Sequence, residues 1–271
     1  MKQFSYIPSI ITPDHWVVGN LGSMTKTVIR PDGQWLDVVP PFEPQSKGFE
    51  TCDCTGFGLL NDVEILAKVL GFDFNLSDRF MGIVAGTSIE RGGNDPHTVA
   101  EALRKCGAIA EADLPFDDTI HNAQEFYSFK GNDEQTCRDA GISFTLAWTF
   151  NHQWVFNNPT TANKQDLMKE YLQYSPLGVA GYAWNQDPNT KLYITIPGVR
   201  SDNHWFTVVG YVDGQYWIVD DSYLRDGTDI KHLAWDYDFG CAKWYTLSRN
   251  AVWHSTWYGS VLTGILRFLG L

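Results

Sequence analysis

Apolar positions fall at helical spacing in the stretch that begins at Leu59. Leu59, Val63, Leu66 and Leu70 stand at i, i+4, i+7 and i+11, one apolar face of a buried helix. Carried back to Cys54, the pattern predicts a helix over residues 54–70. Asp95-Pro96 opens a second helix over 98–105, with Asp95 as N-cap and Pro96 in the first turn. Residues 122–141 are polar and helical in part, and a third helix is predicted over 164–174. Residues 144–154 look strand-like, and from Leu177 onward the chain changes to short strand-like runs at 178–184, 191–196, 204–211, 215–221 and 241–247. Helices first and strands later is the pattern of an α+β fold.

Two of those runs flank Asp213-Gly214, a strong hairpin signal. A two-residue turn there pairs Val212 with Gln215 and Tyr211 with Tyr216. Continued outward, Thr207 falls opposite Asp220 and Phe206 opposite Asp221. Side chains alternate faces, so His204, Phe206 and Asp221 share one face and Asp220 points to the other.

The chain divides into an N-terminal arm (1–39), a main domain (40–249) and a tail (250–271). The arm carries turn signals at Asn20-Leu21-Gly22 and Pro31-Asp32-Gly33, and reads as short strands or an extended segment. Pro40-Pro41-Phe42-Glu43-Pro44 is stiff and leads into Gln45. In the tail, Leu262, Ile265, Leu266 and Leu269 make an amphipathic helical stripe. Such a stripe docks on a partner, on another copy of the chain, or back onto its own domain.

A length of 271 residues is ample for one domain with a sizeable core. The formal net charge of −12 argues against nucleic acid and against anionic membranes as partners. No apolar run is long enough for a membrane span, and the first residues lack the apolar region of a signal peptide. Five cysteines is an odd number, so at least one is unpaired within the chain. No close Cys or His pair accompanies Cys52 and Cys54, so neither a metal nor a cofactor is expected.

Candidate chemistry starts at Cys54. A thiol at a helix start meets the positive end of the helix dipole and unpaired backbone N–H groups, which stabilise the attacking thiolate. The base can be distant in sequence, and His204 with Asp221 on one hairpin face supplies one with a carboxylate to orient it. An Asp beside the imidazole favours its charged form. Cys52 is the rival nucleophile, and a buried structural thiol and a hydrogen-bonded core histidine are the plainer alternatives.

A series of short patches resembles the papain-like cysteine peptidases in the family's own order. Cys54-Thr55-Gly56-Phe57 before a helix is similar to CWAF at the family's nucleophile. Leu76-Ser77-Asp78 resembles LSE, and Gly92-Gly93-Asn94 followed by Leu114-Pro115-Phe116 resembles the glycine pair and the later YPY. Ser175-Pro176-Leu177-Gly178-Val179 falls at the QPV-type strand. HWFTVVGY from His204 is similar to HAVxxVGY, and YWIVDDSY from Tyr216 to YWIIKNSW. The resemblance covers residues 40–247. It departs where the family has tryptophans, at Thr55-Gly56 and at Tyr223.

The resemblance implies a papain-like fold, a helical half bearing the nucleophile facing a sheet half bearing His and Asp across a cleft. It implies Cys54 as nucleophile, His204 as acid and base, Asp221 as its orienting group and Gln45 as oxyanion donor, although residues 46–50 lengthen the Gln-to-Cys spacing. Gly92 and Gly93 become the backbone along which a peptide or protein substrate pairs. The family's disulfide would start at Cys52, but Arg91 stands beside the glycine pair and no second half is present. Reduced thiols and a cytoplasmic location, or a virion if the gene belongs to a phage, follow from that. The family's long inhibitory prosegment is also missing from this reading. The expected activity is hydrolysis of peptide or amide bonds. The alternatives are an amidase on cell-wall peptides and an inactive papain fold kept as a structural module.

Overall fold

Helix α1 (Cys54–Val69) is buried on nearly every side, thirteen of its sixteen residues being enclosed. The single apolar stripe expected of it is therefore too narrow a description. Leu70, expected as its last apolar position, caps the helix and is exposed. The computed structural model describes residues 6–10, 12, 24–196, 202–223 and 229–250.

On α1 pack α2 (Asp78–Ala85) and α3 (Pro96–Cys106); α4 (Ala123–Phe126) meets it through Phe126 stacked on Phe57, and α5 (Glu134–Ala147) packs on α3. Their starts are capped by short polar side chains. Ser77 Oγ accepts from Phe80 N, and Asp95 Oδ1 accepts from the N–H groups of His97 and Thr98, as the Asp-Pro pair predicts.

The strand expected over 144–154 begins later. Helix α5 continues to Ala147, and β1 (Trp148–Phe156) starts directly after it. Phe144 and Trp148 sit four residues apart with rings 6.4 Å apart, so the first part of that apolar run serves helical spacing and the rest serves a strand.

After α6 (Lys164–Leu172) come β2 (Leu177–Gly181), β3 (His204–Val212), β4 (Tyr216–Asp220), β5 (Ile230–Ala234) and β6 (Cys241–Arg249). They form one sheet in the order β1-β6-β2-β3-β4-β5, with every pairing antiparallel. The strand expected over 191–196 is absent. Only Tyr193 of that run is buried, and it makes isolated bridges to Gln186 and Leu233. Strand β5 was not expected, because a lysine and a histidine interrupt its apolar residues.

Helix α1 lies directly on the sheet. A Cβ on Gly58 would stand 2.9 Å from Trp205 Cδ1, and the Gly58 carbonyl accepts from Thr207 Oγ1 at 3.1 Å. Glycine lets the helix backbone reach β3. Part of the expected N-terminal arm is built into this core. Trp35 is fully buried, its N–H donating to Val209 O and its indole Nε1 to Leu172 O. Residues 251–271, which hold the expected amphipathic tail, lie outside the described residues.

Among the described residues no helix is long and apolar enough to cross a membrane. No group of three or more His, Cys, Asp or Glu there could hold a metal ion. All five cysteines are free thiols.

Candidate functional site

The hairpin that carries His204 differs from the expected one in two places. Val212 pairs with Tyr216 rather than Gln215, so the loop holds three residues, Asp213, Gly214 and Gln215. Gln215 N donates to Val212 O at 2.9 Å, and Gly214, third in that turn, takes the positive φ of 68° that a type II turn gives to glycine. The second difference is a bulge between Val208 and Gly210. The loop adds a residue to one strand's count and the bulge returns it, so Thr207 still pairs with Asp220. The freed carbonyl of Val209 is taken by Trp35 N at 2.8 Å.

As a result His204 and Asp221 meet and Asp220 turns away. His204 Nε2 lies 2.7 Å from Asp221 Oδ1, both side chains fully buried. Asp220 Oδ2 instead accepts from Asn61 Nδ2 of α1 at 2.7 Å. Burial and the neighbouring Asp221 charge push the Asp220 carboxyl up to about 7. Burial would raise Asp221 as well. His204, and after it Lys231, outweigh that effect and hold the Asp221 carboxyl below its ordinary value.

Asp221 has further partners that sequence reasoning missed. Trp184 Nε1 donates to Oδ2 at 3.0 Å, Lys231 Nζ stands 3.1 Å from the same oxygen, and Tyr223 N donates to Oδ1 at 3.2 Å. Lys231 left one available signal, a charged residue at an inward position of an apolar run. That signal is readable only once β5 is recognised as a strand.

Cys54 is the first residue of α1, as expected, but it is fully buried. It clusters with Tyr6, Trp154, Ala180, Trp205 and Cys241. Burial pushes its thiol well above the ordinary range. The backbone N–H of Trp205, the residue after His204, works against that, while the charges of Asp53, Asp221 and Glu50 add to it. The helix start lowers a thiol, but here the loss of water dominates. Cys52, the rival, is also buried, and its backbone has a positive φ of 61°.

Gln45 reaches the site and is already engaged. Its N–H donates to Ser222 O, and its Oε1 accepts from Ser222 Oγ at 3.1 Å, which ties it to the end of β4. Its Nε2, the donor expected to face an oxyanion, is 3.1 Å from Glu50 Oε1. The same carboxylate oxygen accepts from Cys52 N at 3.1 Å. Glu50 lies in the lengthened spacing between Gln45 and Cys54.

Gly92 and Gly93 form a turn, with Gly92 N bonded to Ile89 O and Gly93 N to Ser88 O. Backbone pairing across the site falls one residue later. Residues 6–10 run through in extended form, Ile7 N donating to Asn94 O at 3.0 Å and Tyr6 N to Asn203 O at 3.4 Å. Tyr6 stacks on Trp205, and its hydroxyl lies 3.3 Å from Cys241 Sγ. A segment of the chain thus spans from the loop before α3 to the residue before His204.

Beside Cys54, the Asp53 carboxyl is buried with Thr87 Oγ1 donating to it at 3.1 Å, and burial pushes it up to about 8. Two glycines make room for it. A Cβ on Gly56 would stand 2.7 Å from Asp53 Oδ2, and one on Gly82 2.5 Å from the same atom.

Solved cysteine proteases share this fold. The digestive procathepsin L2 proteinase of Tenebrio molitor is 16% identical, with 90% of this chain and 78% of that chain covered and a TM-score of 0.59. Xylellain, a cysteine protease from Xylella fastidiosa, is 16% identical, with 92% and 96% covered and a TM-score of 0.57. The bromelain protease from Ananas comosus is 20% identical, with 80% and 96% covered and a TM-score of 0.52. No family model matches the sequence, and no curated protein does. At these identities the likeness establishes the papain-like fold.

Proposed function

We propose that the protein is a papain-like cysteine peptidase that hydrolyses peptide or amide bonds through Cys54, His204 and Asp221. The observation that carries this reading is one strand start that serves two groups. His204 is held by Asp221 at 2.7 Å, and the next residue, Trp205, presents its backbone N–H to the Cys54 thiol.

In this reading Cys54 Sγ attacks the substrate carbonyl. With Nε2 committed to Asp221, Nδ1 of His204 takes the thiol proton and passes it to the leaving amine. Water then attacks the acyl-enzyme, with His204 as base, and the thiol is restored. Gln45 Nε2 donates to the developing oxyanion once Glu50 gives up that bond. Gly92 and Gly93 shape the turn before Asn94, along whose carbonyl an extended chain already pairs.

A second reading, a papain fold kept as an inactive structural module, draws on the full burial of Cys54 and on Tyr6 in the same apolar cluster, stacked on Trp205. The two separate on treatment with an epoxide or vinyl-sulfone peptidyl probe followed by peptide mapping. The peptidase reading expects label on Cys54, lost in His204→Ala. No label on any cysteine, with the fold intact, supports the inactive module.

A further inference from the structure

We propose that Lys231 is a positioning residue for His204. Its buried ammonium balances Asp221, so the carboxylate orients the imidazole without locking it in the charged form. This inference rests on the reading of His204 as the acid and base of a thiol hydrolase.

The geometry is a filled carboxylate. Asp221 Oδ1 takes His204 Nε2 and Tyr223 N, and Oδ2 takes Trp184 Nε1 and Lys231 Nζ. The Lys231 and Asp221 side chains are both fully enclosed. Lys231 Nζ also donates to Tyr223 O at 3.2 Å and lies 5.5 Å from the Trp184 ring centroid. One oxygen of Asp221 therefore belongs to the imidazole and the other to the ammonium.

The energetic reason follows from burial. A carboxylate with no water around it needs a compensating charge. If His204 were the only source of one, the imidazolium would be strongly favoured, and the ring would resist giving its proton to a leaving amine. A second cation on the far oxygen supplies the compensation in both protonation states of the ring. It also repels the imidazolium through the shared carboxylate. The base then cycles without leaving Asp221 as an uncompensated buried charge. Among the described residues, the other ionisable groups near the pair are Cys54 from α1, Asp220 beside Asp221 but turned from it, Tyr223 against the His204 ring, Asp229, whose carbonyl accepts from Asp221 N, and Tyr237 from the segment before β6. None of these supplies a cation.

The test reads the imidazole itself, so it does not depend on turnover. The His204 ring is titrated by NMR in the wild type and in Lys231→Met, Lys231→Gln and Lys231→Arg. The expected result is a midpoint about one pH unit higher in the Met and Gln variants, and close to the wild type in the Arg variant. The rise should vanish when Asp221 is also changed to Asn, because Lys231 acts through that carboxylate. An unmoved midpoint in the neutral variants, or an equal rise with Asn at 221, overturns the inference. If the Met variant does not fold, the Gln and Arg variants decide, since both keep a hydrogen-bond donor and differ in charge. Labelling of Cys54 by the peptidyl epoxide separates the two levels. A moved midpoint with no label defeats the hydrolase reading alone, and label with an unmoved midpoint defeats the Lys231 role alone.

Discussion

His204 and Asp221 are bonded at 2.7 Å although they are not paired in the sheet; His204 pairs with Gly181 of β2, and Asp221 lies just past the end of β4. Two register shifts between them cancel, one in the turn at 213–215 and one at Val209. Parity alone therefore selects Asp221 over Asp220. Asp221→Ala should lower Cys54 labelling by a peptidyl probe at least about tenfold, since the ring loses the group that fixes its tautomer. Asp220→Ala should cost about 1–2 kcal/mol through the Asn61 bond and leave labelling nearly unchanged. Urea melts matched with labelling rates check this, and the opposite ranking refutes the assignment of roles.

Burial sets the pH behaviour of Cys54. A thiol raised above its ordinary value of 9.0 holds little thiolate at pH 6, and its reactivity climbs as pH rises into the alkaline range. Iodoacetamide labelling of Cys54 should follow that course, against the thiolate stabilisation expected from the helix start alone. Tyr6→Ala removes a ring from the apolar cluster that encloses the thiol and should speed labelling several-fold at constant pH. Peptide mapping at each pH reads both effects. Faster modification of Cys52 than of Cys54 across the range would remove Cys54 as nucleophile.

Glu50 holds the amide that the peptidase reading assigns to the oxyanion. Glu50→Ala should free Gln45 Nε2 and tighten a peptidyl aldehyde, whose thiohemiacetal carries an oxyanion, by about fivefold or more. Iodoacetamide develops no oxyanion and should gain less. Equal gains for the two reagents would mean that only the Glu50 charge was felt by the thiol.

Asp53 gives a stability signature. Its carboxyl is raised from 3.8 to about 8 in the folded chain, so between those values the folded state holds a proton that the unfolded state releases. That contribution is full below about pH 4 and is lost as pH rises through 8, at up to about 1.4 kcal/mol per pH unit. His152, lowered to about 3, and Lys243, lowered to about 7, act in the opposite direction but are untouched by a change at 53. Asp53→Asn should flatten the fall of Tm between pH 5 and pH 7.5 by about one proton's worth. A curve parallel to that of the wild type would show that Asp53 ionises inside the fold.

Gly82→Ala should destabilise by about 1–3 kcal/mol, because its Cβ would meet Asp53 Oδ2 at 2.5 Å and Tyr127 Cε1 at 2.7 Å. Thermal melts of Gly82→Ala, alone and with Asp53→Ala, check the cause. The second change should recover part of the loss.

Much of the fold was legible because the long elements carry strong periodicity or caps. The helix at Cys54, the helix opened by Asp95-Pro96 and the hairpin at Asp213-Gly214 all stand where the pattern puts them. What was not legible depends on contacts far apart in sequence. Trp35 reads as part of an arm until Val209 O and Leu172 O are seen to receive it. Strand β5 carries Lys231 and His232 within five residues, so its alternation is visible only once Lys231 has a buried partner. The bulge at Val209 leaves one local hint, the glycine at 210, while its free carbonyl is satisfied by Trp35, 174 residues earlier in the chain. Glu50 was passed over as insertion sequence, and its role follows from one carboxylate oxygen collecting two donors.

The buried carboxyls also change how the molecule moves in an electric field. Asp53, pushed up to about 8, stays largely neutral at pH 7, and burial moves Asp62, Glu64 and Asp78 in the same direction. Setting Asp53 aside takes the formal charge of −12 to about −11, and each further carboxyl held neutral takes it one step more. Unfolding exposes them to water and returns the missing charge. Folded and urea-unfolded forms should therefore differ in electrophoretic mobility by more than their size alone explains, and the folded form should focus at the higher pH.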